Sequence, residues 1–448
     1  MATTLTRELR PGDEGYEEAR RAWNGAFDRR PAVIRQPESA AQVADAVAFG
    51  RAEGLPIAVK GGGHSVAGHS TVDDGLLIDL SRLRSVQVDP ATRRVRVGGG
   101  ALLGDVDRAT QEHALVVPAG HVSHTGVAGL TLGGGFGWLM RRFGLTVDSL
   151  VSAEVVTADG EILRASADSE AELFWGLRGG GGNFGVVTEF EFEAHPLGPE
   201  VAVAFVLYPL EAAADVLVAA DAATAQVPDE VTSFATFMTV PPAPDFPPEL
   251  HGRKVLAVIA VYAGDPAEAD PHLRPFRELA TPLLDGTGPM PYVALQTMID
   301  PSAPHGLHYY TRSHFLDGVD AVAQPLADVF AEVTSPLSLL LIGWAGGAVA
   351  AVPPDATPYW HRDARCFAWV VSAAPPDEPQ EAHHAWVNAV SAAALPAARG
   401  VYVNAIANEG ADRVRAAYGG NWDRLLAVKR RYDPENVFRL NQNIPVPA

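Results

Sequence analysis

Glycine constrains this chain more than any other residue. Four clusters, Gly61 to Gly63, Gly98 to Gly100, Gly133 to Gly137 and Gly179 to Gly185, crowd into the first half, each beside a short apolar run. Glycines permit positive φ and close backbone approach, and consecutive free N–H groups form anion-binding concavities. One such cluster is an ordinary turn, whereas several next to strands point to a phosphate-bearing cofactor. The first cluster runs straight into His64 in "AVKGGGHSVAGHS". It sets an imidazole, able to act as base, ligand or nucleophile, against the most permissive backbone in the chain. "GGGNFG" formally satisfies G-x-G-x-x-G, but the strand alternation "VVTEFEFEAH" follows it, and a Rossmann fingerprint must open a helix. No G-x-x-x-x-G-K-[ST] occurs, which excludes a P-loop.

The remaining texture is α+β. "ESAAQVADAVAFGRAEG" reads as a helix with Ser39 and Gln42 at capping-box spacing. "LVSAEVVTADGEILRAS" reads as a hairpin turning at Asp159-Gly160. From about Pro199 to Arg399, apolar strand candidates such as "KVLAVIAVYAG" and "RCFAWVVSAA" alternate with helix-like runs and Pro-rich loops. Trp422, Leu425, Leu426 and Lys429 then repeat at helical spacing up to a stop at Asp433-Pro434.

At 448 residues, two domains or one elaborated domain are expected. The formal charge of −20 argues against nucleic acid or anionic lipid as partner. No apolar run is long enough for a membrane span, and the polar start lacks the apolar core of a secretory signal, so a cytoplasmic protein is expected. The one cysteine, Cys366, excludes a disulfide framework and reads as a small buried hydrophobe.

Four stretches together, "VKGGGHSVAGHS", "PAGHVSHTGVAGLTLGGGFGWLMRRFGLTVDSLVSAEVVTADGE", "ELFWGLRGGGGNFGVVTEFEFEAHPL" and "RLLAVKRRYDPENVFRLNQNIP", resemble the bacterial branch of the berberine-bridge-enzyme-like flavoproteins. These belong to the vanillyl-alcohol-oxidase fold with a p-cresol-methylhydroxylase-type FAD domain. The resemblance spans essentially the whole chain. It implies an FAD domain in two parts, 1–198 and 405–448, around a substrate domain of antiparallel sheet backed by helices, 199–404. It further implies that Lys60, Gly61, Gly62, Gly63, His64 and Ser65 wrap the FAD pyrophosphate, with His64 covalently joined to the flavin 8α-methyl carbon. Thr125, Gly126, Gly129, Gly133, Gly134, Gly135 and Gly137 would run along the flavin and ADP moiety. Gly185 and Val187 would close the adenine side, and Asn441 and Asn443 would return from the C-terminus. Val122 stands where many relatives attach a cysteine, so a single linkage is expected.

The same resemblance implies a flavin oxidase. Hydride would pass from a small or natural-product-like alcohol, amine or phenolic substrate to flavin N5, with O2 as acceptor. A flavin oxygenase, with Thr125 governing oxygen approach, and a non-redox cyclase using the flavin as scaffold are the alternatives. Two acid–base positions of the family are lost: Val66 replaces a tyrosine, and "YVNA" ends in Ala405. Tyr402, Asn404, Tyr309 and Tyr310 remain as catalytic candidates. On a regular strand Tyr402 would face away from position 405, and Tyr309 and Tyr310 would face opposite sides. A tyrosine could serve as base if a neighbouring cation lowered its pKa. The strand "SLLLIGWAGGA" lacks the acidic residues of amine-oxidising relatives. His64, His69, His121 and His124 could be drawn as a metal site, but no carboxylate supports one and no metal is expected. His383-His384 opens a helix and is expected to face solvent. A small-molecule substrate, O2, and a monomer or homodimer complete the expectations, with neither nucleic acid nor membrane as partner.

Overall fold

The computed structural model describes residues 6–446. Its first sheet aligns the buried runs Val33–Gln36, Leu76–Asp79 and Ile57–Lys60 in parallel, with Arg7–Leu9 antiparallel at one edge. The crossover helix Ala40–Ala52 starts at Ser39, whose hydroxyl accepts from Gln42 N at 3.3 Å. The strand Ile57–Lys60 ends where the glycine loop begins, so that loop leaves the carboxyl ends of the parallel strands, the usual place for a ligand in such sheets. A second, antiparallel sheet holds Val86–Asp89, Arg94–Gly98, Val186–Glu193, Leu150–Val156 and Ile162–Ser166 in that order. Its last two strands are the expected hairpin, turning through Gly160 at φ 80°.

The third sheet is antiparallel and nine-stranded, centred on Lys254–Tyr262, Val231–Thr239, Leu339–Trp344, Cys366–Ala374 and His308–Leu316. Period-two alternation gives it two apolar faces. Ala235, Phe237, Val258, Ile342 and Val370 pack under the helices Ala213–Thr224, Asp270–Arg277, Ala323–Ala331 and Glu381–Ala394. Phe234, Ile259, Phe315 and Phe367 share a core with Phe136, Trp138 and Leu145 of the glycine-rich part. Each such side chain contributes roughly 1.5–3 kcal/mol by leaving water, so the sheet is fixed on both sides. Cys366 is fully buried, and burial pushes its thiol up. His383 corrects one expectation. It shares the packed face of its helix with Trp386, Val387 and Val390, and its Nδ1 lies 2.7 Å from the Thr334 hydroxyl. Helical spacing puts position 383 on that apolar stripe.

Two contacts bring distant segments together. Gln296 Nε2 donates to Asp107 Oδ2 at 3.0 Å and to Gly120 O at 3.2 Å, joining the helices Leu103–Gln111 and Tyr292–Thr297. Burial pushes the Asp107 carboxyl up to about 7. At the C-terminus, helix Trp422–Tyr432 buries Lys429 completely, and its ammonium donates to Asp433 Oδ2 at 2.7 Å, Asn183 O at 2.8 Å and Phe438 O at 3.0 Å. Three acceptors satisfy the ammonium, which is the condition for keeping a charge inside. Beyond it, Asn183 binds Gln442 O and Ile444 N at 3.1 and 3.0 Å, and Asn441 donates to Gly182 O at 3.1 Å. The last described residues therefore lie on the fourth glycine cluster.

Candidate active site

The glycine loop after Lys60 presses against a second segment. A Cβ on Gly62 would enter the Gly126 backbone, and one on Gly126 would enter Gly62, so only two glycines permit this crossing. Gly63 turns at φ 75°, and its carbonyl accepts from Trp23 N at 3.0 Å and from the Ser70 hydroxyl at 3.3 Å. The backbone N–H groups of Gly62, Gly63, His64 and Ser65 have no acceptor among the described residues. Four consecutive free donors form a concavity suited to a diphosphate. Three further features fit a large polar cofactor. A Cβ at Gly129 would meet nothing within 4 Å, and Asn441 Oδ1 and Asn443 Oδ1 are buried without partners. Buried polar atoms are rarely left so unless something else satisfies them.

Other expected contacts have a different physical role. Lys60 turns its side chain inward: its ammonium bonds Ala19 O and lies 3.4 Å from Asp79 Oδ2, so it braces the strand end instead of facing the free N–H groups. At Gly133, Gly134, Gly135 and Gly137 the space of a side chain is filled by Asn404, Tyr359, Thr146 and Ala119 O, so these glycines admit protein against protein. Gly185 likewise abuts Val155 and Val156, and Val187 is buried in the core. Val122 O accepts from Thr125 N at 3.0 Å, holding the turn that carries Thr125.

The tyrosines separate clearly. Val403–Ala405 is a short 3-10 turn and not a strand, so Tyr402 and Asn404 converge. The Tyr402 oxygen accepts from Gly135 N at 3.1 Å and Asn404 Nδ2 at 3.0 Å, and the same amide donates to Leu130 O at 3.1 Å. Burial pushes the Tyr402 phenol up to about 12, against the lowering needed for a base. Tyr309 donates to Pro304 O at 2.5 Å, and burial raises it too. Tyr310 points the other way, where its ring lies 4.1 Å from that of His384 and its oxygen accepts from Arg312 at 2.6 Å. It does not reach the His64 side of the sheet.

His64 is held on every side. Its ring stacks on Trp23 at 4.8 Å and 14°, and Trp23 stacks in turn on Tyr309 at 3.7 Å and 20°. His64 Nε2 lies 2.7 Å from His124 Nδ1, while His64 Nδ1 faces the Thr125 hydroxyl at 3.5 Å. The exposed His305 ring is 4.8 Å from that of His124 and 5.7 Å from that of His64. Burial lowers all three imidazoles, His64 farthest, so they are neutral at pH 7. Their nitrogens lie within 4.8 Å of one another, close enough to suggest a metal. Two imidazoles on one tetrahedral zinc sit with nitrogens roughly 3.3 Å apart, whereas the 2.7 Å here is a hydrogen bond. His121 stands apart, edge-on to Trp138 and Phe234 at 4.3 and 4.7 Å and pushed down to about 3 by burial. Burial pushes His69 down to about 4, and its backbone N–H bonds the Ser65 hydroxyl.

Trp23 and Asn24 stitch this loop to the nine-stranded sheet. Trp23 Nε1 donates to Ala303 O at 2.9 Å, and Asn24 Nδ2 donates to Val66 O and Tyr309 O at 3.1 and 3.0 Å. Asp300 accepts from Ser123 N at 2.8 Å and from its hydroxyl at 2.5 Å. Sequence reasoning missed Trp23, Asn24, Asp300 and His305, each of which has a partner more than about 170 residues away in the chain. His124 was visible only as half of a metal-like pair. Alongside Tyr309, the same face of the sheet carries Thr236, Leu341, Trp369 and Ser313 in register, with Thr311 beside them. Ser313 Oγ is buried without a partner, and none of these side chains is charged.

Known proteins resemble this chain over nearly all of its length. A family model described as FAD binding domain matches residues 31–166, and one described as berberine and berberine like matches 401–445. An FAD-linked oxidoreductase of Dictyostelium discoideum is 33% identical over 97% of this chain and 94% of its own length. The (R)-6-hydroxynicotine oxidase of Paenarthrobacter nicotinovorans is 30% identical over 99% of this chain and 98% of its own. The crystal structure of 6-hydroxy-D-nicotine oxidase from Arthrobacter nicotinovorans superposes with a TM-score of 0.89 at 28% identity, covering 100% of both chains.

Proposed function

This chain belongs to the berberine-bridge-enzyme-like family of FAD-linked oxidoreductases, and from that premise we propose that it carries FAD on a single covalent bond from His64 and oxidises a small, neutral, ring-bearing alcohol, amine or phenol with dioxygen as acceptor. The observation that carries this reading is the fixed imidazole of His64. It sits on a turn of free N–H groups, stacked on Trp23 and bonded through Nε2 to His124, with Nδ1 meeting only the Thr125 hydroxyl at 3.5 Å.

Bound FAD supplies a two-electron acceptor for a C–H bond beside oxygen or nitrogen. The protein contributes placement. Gly62 to Ser65 and the amides of Asn441 and Asn443 would hold the polar parts of the cofactor. Leu341 and Trp369 offer an apolar floor to a ring, and the unpartnered Ser313 hydroxyl offers one hydrogen bond. A charged substrate would find no counter-ion on that face, which favours a neutral one. The 6-hydroxynicotine oxidase relative acts, by its name, on a ring-bearing compound. With Tyr402 and Tyr309 held protonated, proton removal rests on the substrate's own acidity. The division into an FAD part, 1–198 with 405–448, and a substrate part, 199–404, is supported by the packing of the tail on the Gly179 to Gly185 loop.

Acid precipitation tests the linkage. Fully loaded wild-type protein should give a yellow pellet and a gel band that fluoresces under ultraviolet light, and His64→Ala should release its flavin on denaturation. A colourless wild-type pellet would overturn the covalent reading. Anaerobic bleaching of the flavin band across neutral and charged alcohols, amines and phenols tests the substrate class.

A further inference from the structure

We propose that His124 prepares His64 for attachment. It holds His64 in the tautomer protonated at Nε2, makes Nδ1 the attacking nitrogen, and takes up the Nε2 proton as the bond forms. The inference rests on the covalent reading above and concerns how this chain achieves it.

The geometry selects the nitrogen. A neutral imidazole carries one proton, and the partner of one nitrogen decides the state of the other. His64 Nε2 is engaged by His124 Nδ1 at 2.7 Å, whereas Nδ1 has only the Thr125 hydroxyl at 3.5 Å, the outer limit of a hydrogen bond. With His124 as acceptor, Nδ1 keeps an open lone pair. Trp23 stacked on the ring fixes the direction in which that lone pair points. Burial keeps His64 neutral, which a nucleophile requires.

The charge pattern favours proton transfer outward. The titratable groups around His124 are His64, His305 and Asp300. The Asp300 carboxylate, anchored by Ser123, raises the basicity of His124 against the opposing effect of burial. His305 is exposed and stands on the outer side of His124, able to pass a proton to water. Trp23 and Tyr309, on the other side of His64, are neutral.

The step balances. One C–H bond of the flavin 8α-methyl group breaks and one bond from that carbon to Nδ1 forms, a two-electron oxidation of the carbon. Both electrons pass through the flavin ring system to dioxygen. The proton from the methyl group and the proton from His64 Nε2 complete hydrogen peroxide in the net reaction. His124 and His305 carry the second proton away.

The test adds FAD to apoprotein and follows covalent attachment by fluorescence of the denatured chain, with non-covalent binding read from the flavin spectrum. Wild type should attach FAD, faster as pH rises through the depressed titration of His124, and peptide mapping should find the linkage at Nδ1. His124→Ala should still bind FAD but attach it roughly 10²–10⁴-fold more slowly, as expected for a lost proton acceptor, and added imidazole should restore part of the rate. His124→Gln can accept the hydrogen bond but not the proton. It should bind FAD and also attach slowly, and it decides the matter if His124→Ala fails to bind. Attachment at the wild-type rate in a variant that binds FAD, or a loss in His124→Ala that imidazole does not relieve, overturns the role of His124. Absence of covalent flavin in wild type overturns the reading beneath it instead.

Discussion

At Tyr402 the phenolic oxygen accepts from Gly135 N and from the Asn404 amide, and at Tyr309 the hydroxyl donates to Pro304 O. Both phenols are raised by burial, and no cation among the described residues reverses the shift. These tyrosines hold a proton at neutral pH and cannot receive one. Single replacement by Phe at 309, 310 and 402 should therefore slow anaerobic flavin reduction by less than about tenfold, against the roughly 10²–10⁴-fold of a lost acid–base group. Tyr402→Phe should in addition lower stability by about 1–3 kcal/mol in urea denaturation, because it strands a buried N–H and an amide. A loss of 10²-fold or more in reduction rate at any of the three would return that residue to the role of base.

Between elements, the contact of helix Leu103–Gln111 with helix Tyr292–Thr297 turns on Asp107. Its carboxyl is raised by burial to about 7, so the folded state holds a proton that the unfolded chain releases from about pH 4 upward. Stability from this contact is full below about pH 4 and is lost as pH rises to about 7, a change on the order of a few kcal/mol. Asp107→Asn keeps an acceptor for Gln296 and removes the charge. It should raise Tm at about pH 8 by roughly 2–5 °C and flatten the fall between about pH 5 and pH 8. Elements of this kind were largely legible: the Ser39 cap, the Asp159-Gly160 hairpin and the strands of the large sheet all follow local pattern. Local pattern failed where packing decided. The "YVNA" segment reads as a strand but turns, because Asn404 must reach Leu130 O under Gly133. His383 reads as solvent-facing but lies on the stripe of its helix that meets the sheet. The glycine loop and His64 could be read because their chemistry is written in consecutive residues. Trp23, Asp300 and His305 could not, because each acquires its role only from a partner far along the chain.

Across the whole molecule, the candidate site gathers Trp23, Gly62 to Ser65, His124 and His305 around one imidazole, and a separate contact seats Asn441 on Gly182, so the residues proposed to hold the cofactor span nearly the full length. The closing piece is the tail: Asn441, Gln442 and Ile444 bind the Gly182-Asn183 turn, and the buried Lys429–Asp433 pair holds the segment that delivers them. Removing residues 439–448 should leave a folded chain, by circular dichroism, that retains well under half of the wild-type flavin after gel filtration; full retention would mean that the tail does not reach the cofactor. No helix among the described residues is long and apolar enough to cross a membrane. The position of the tail also bears on the order in which the chain can be completed. The Gly182-Asn183 turn is synthesised 259 residues before Asn441, so its tail-side contacts stay unmade until that segment has emerged. On the proposed reading, tight flavin capture should follow synthesis of that segment, and a product terminated before Asn441 should keep less of its cofactor.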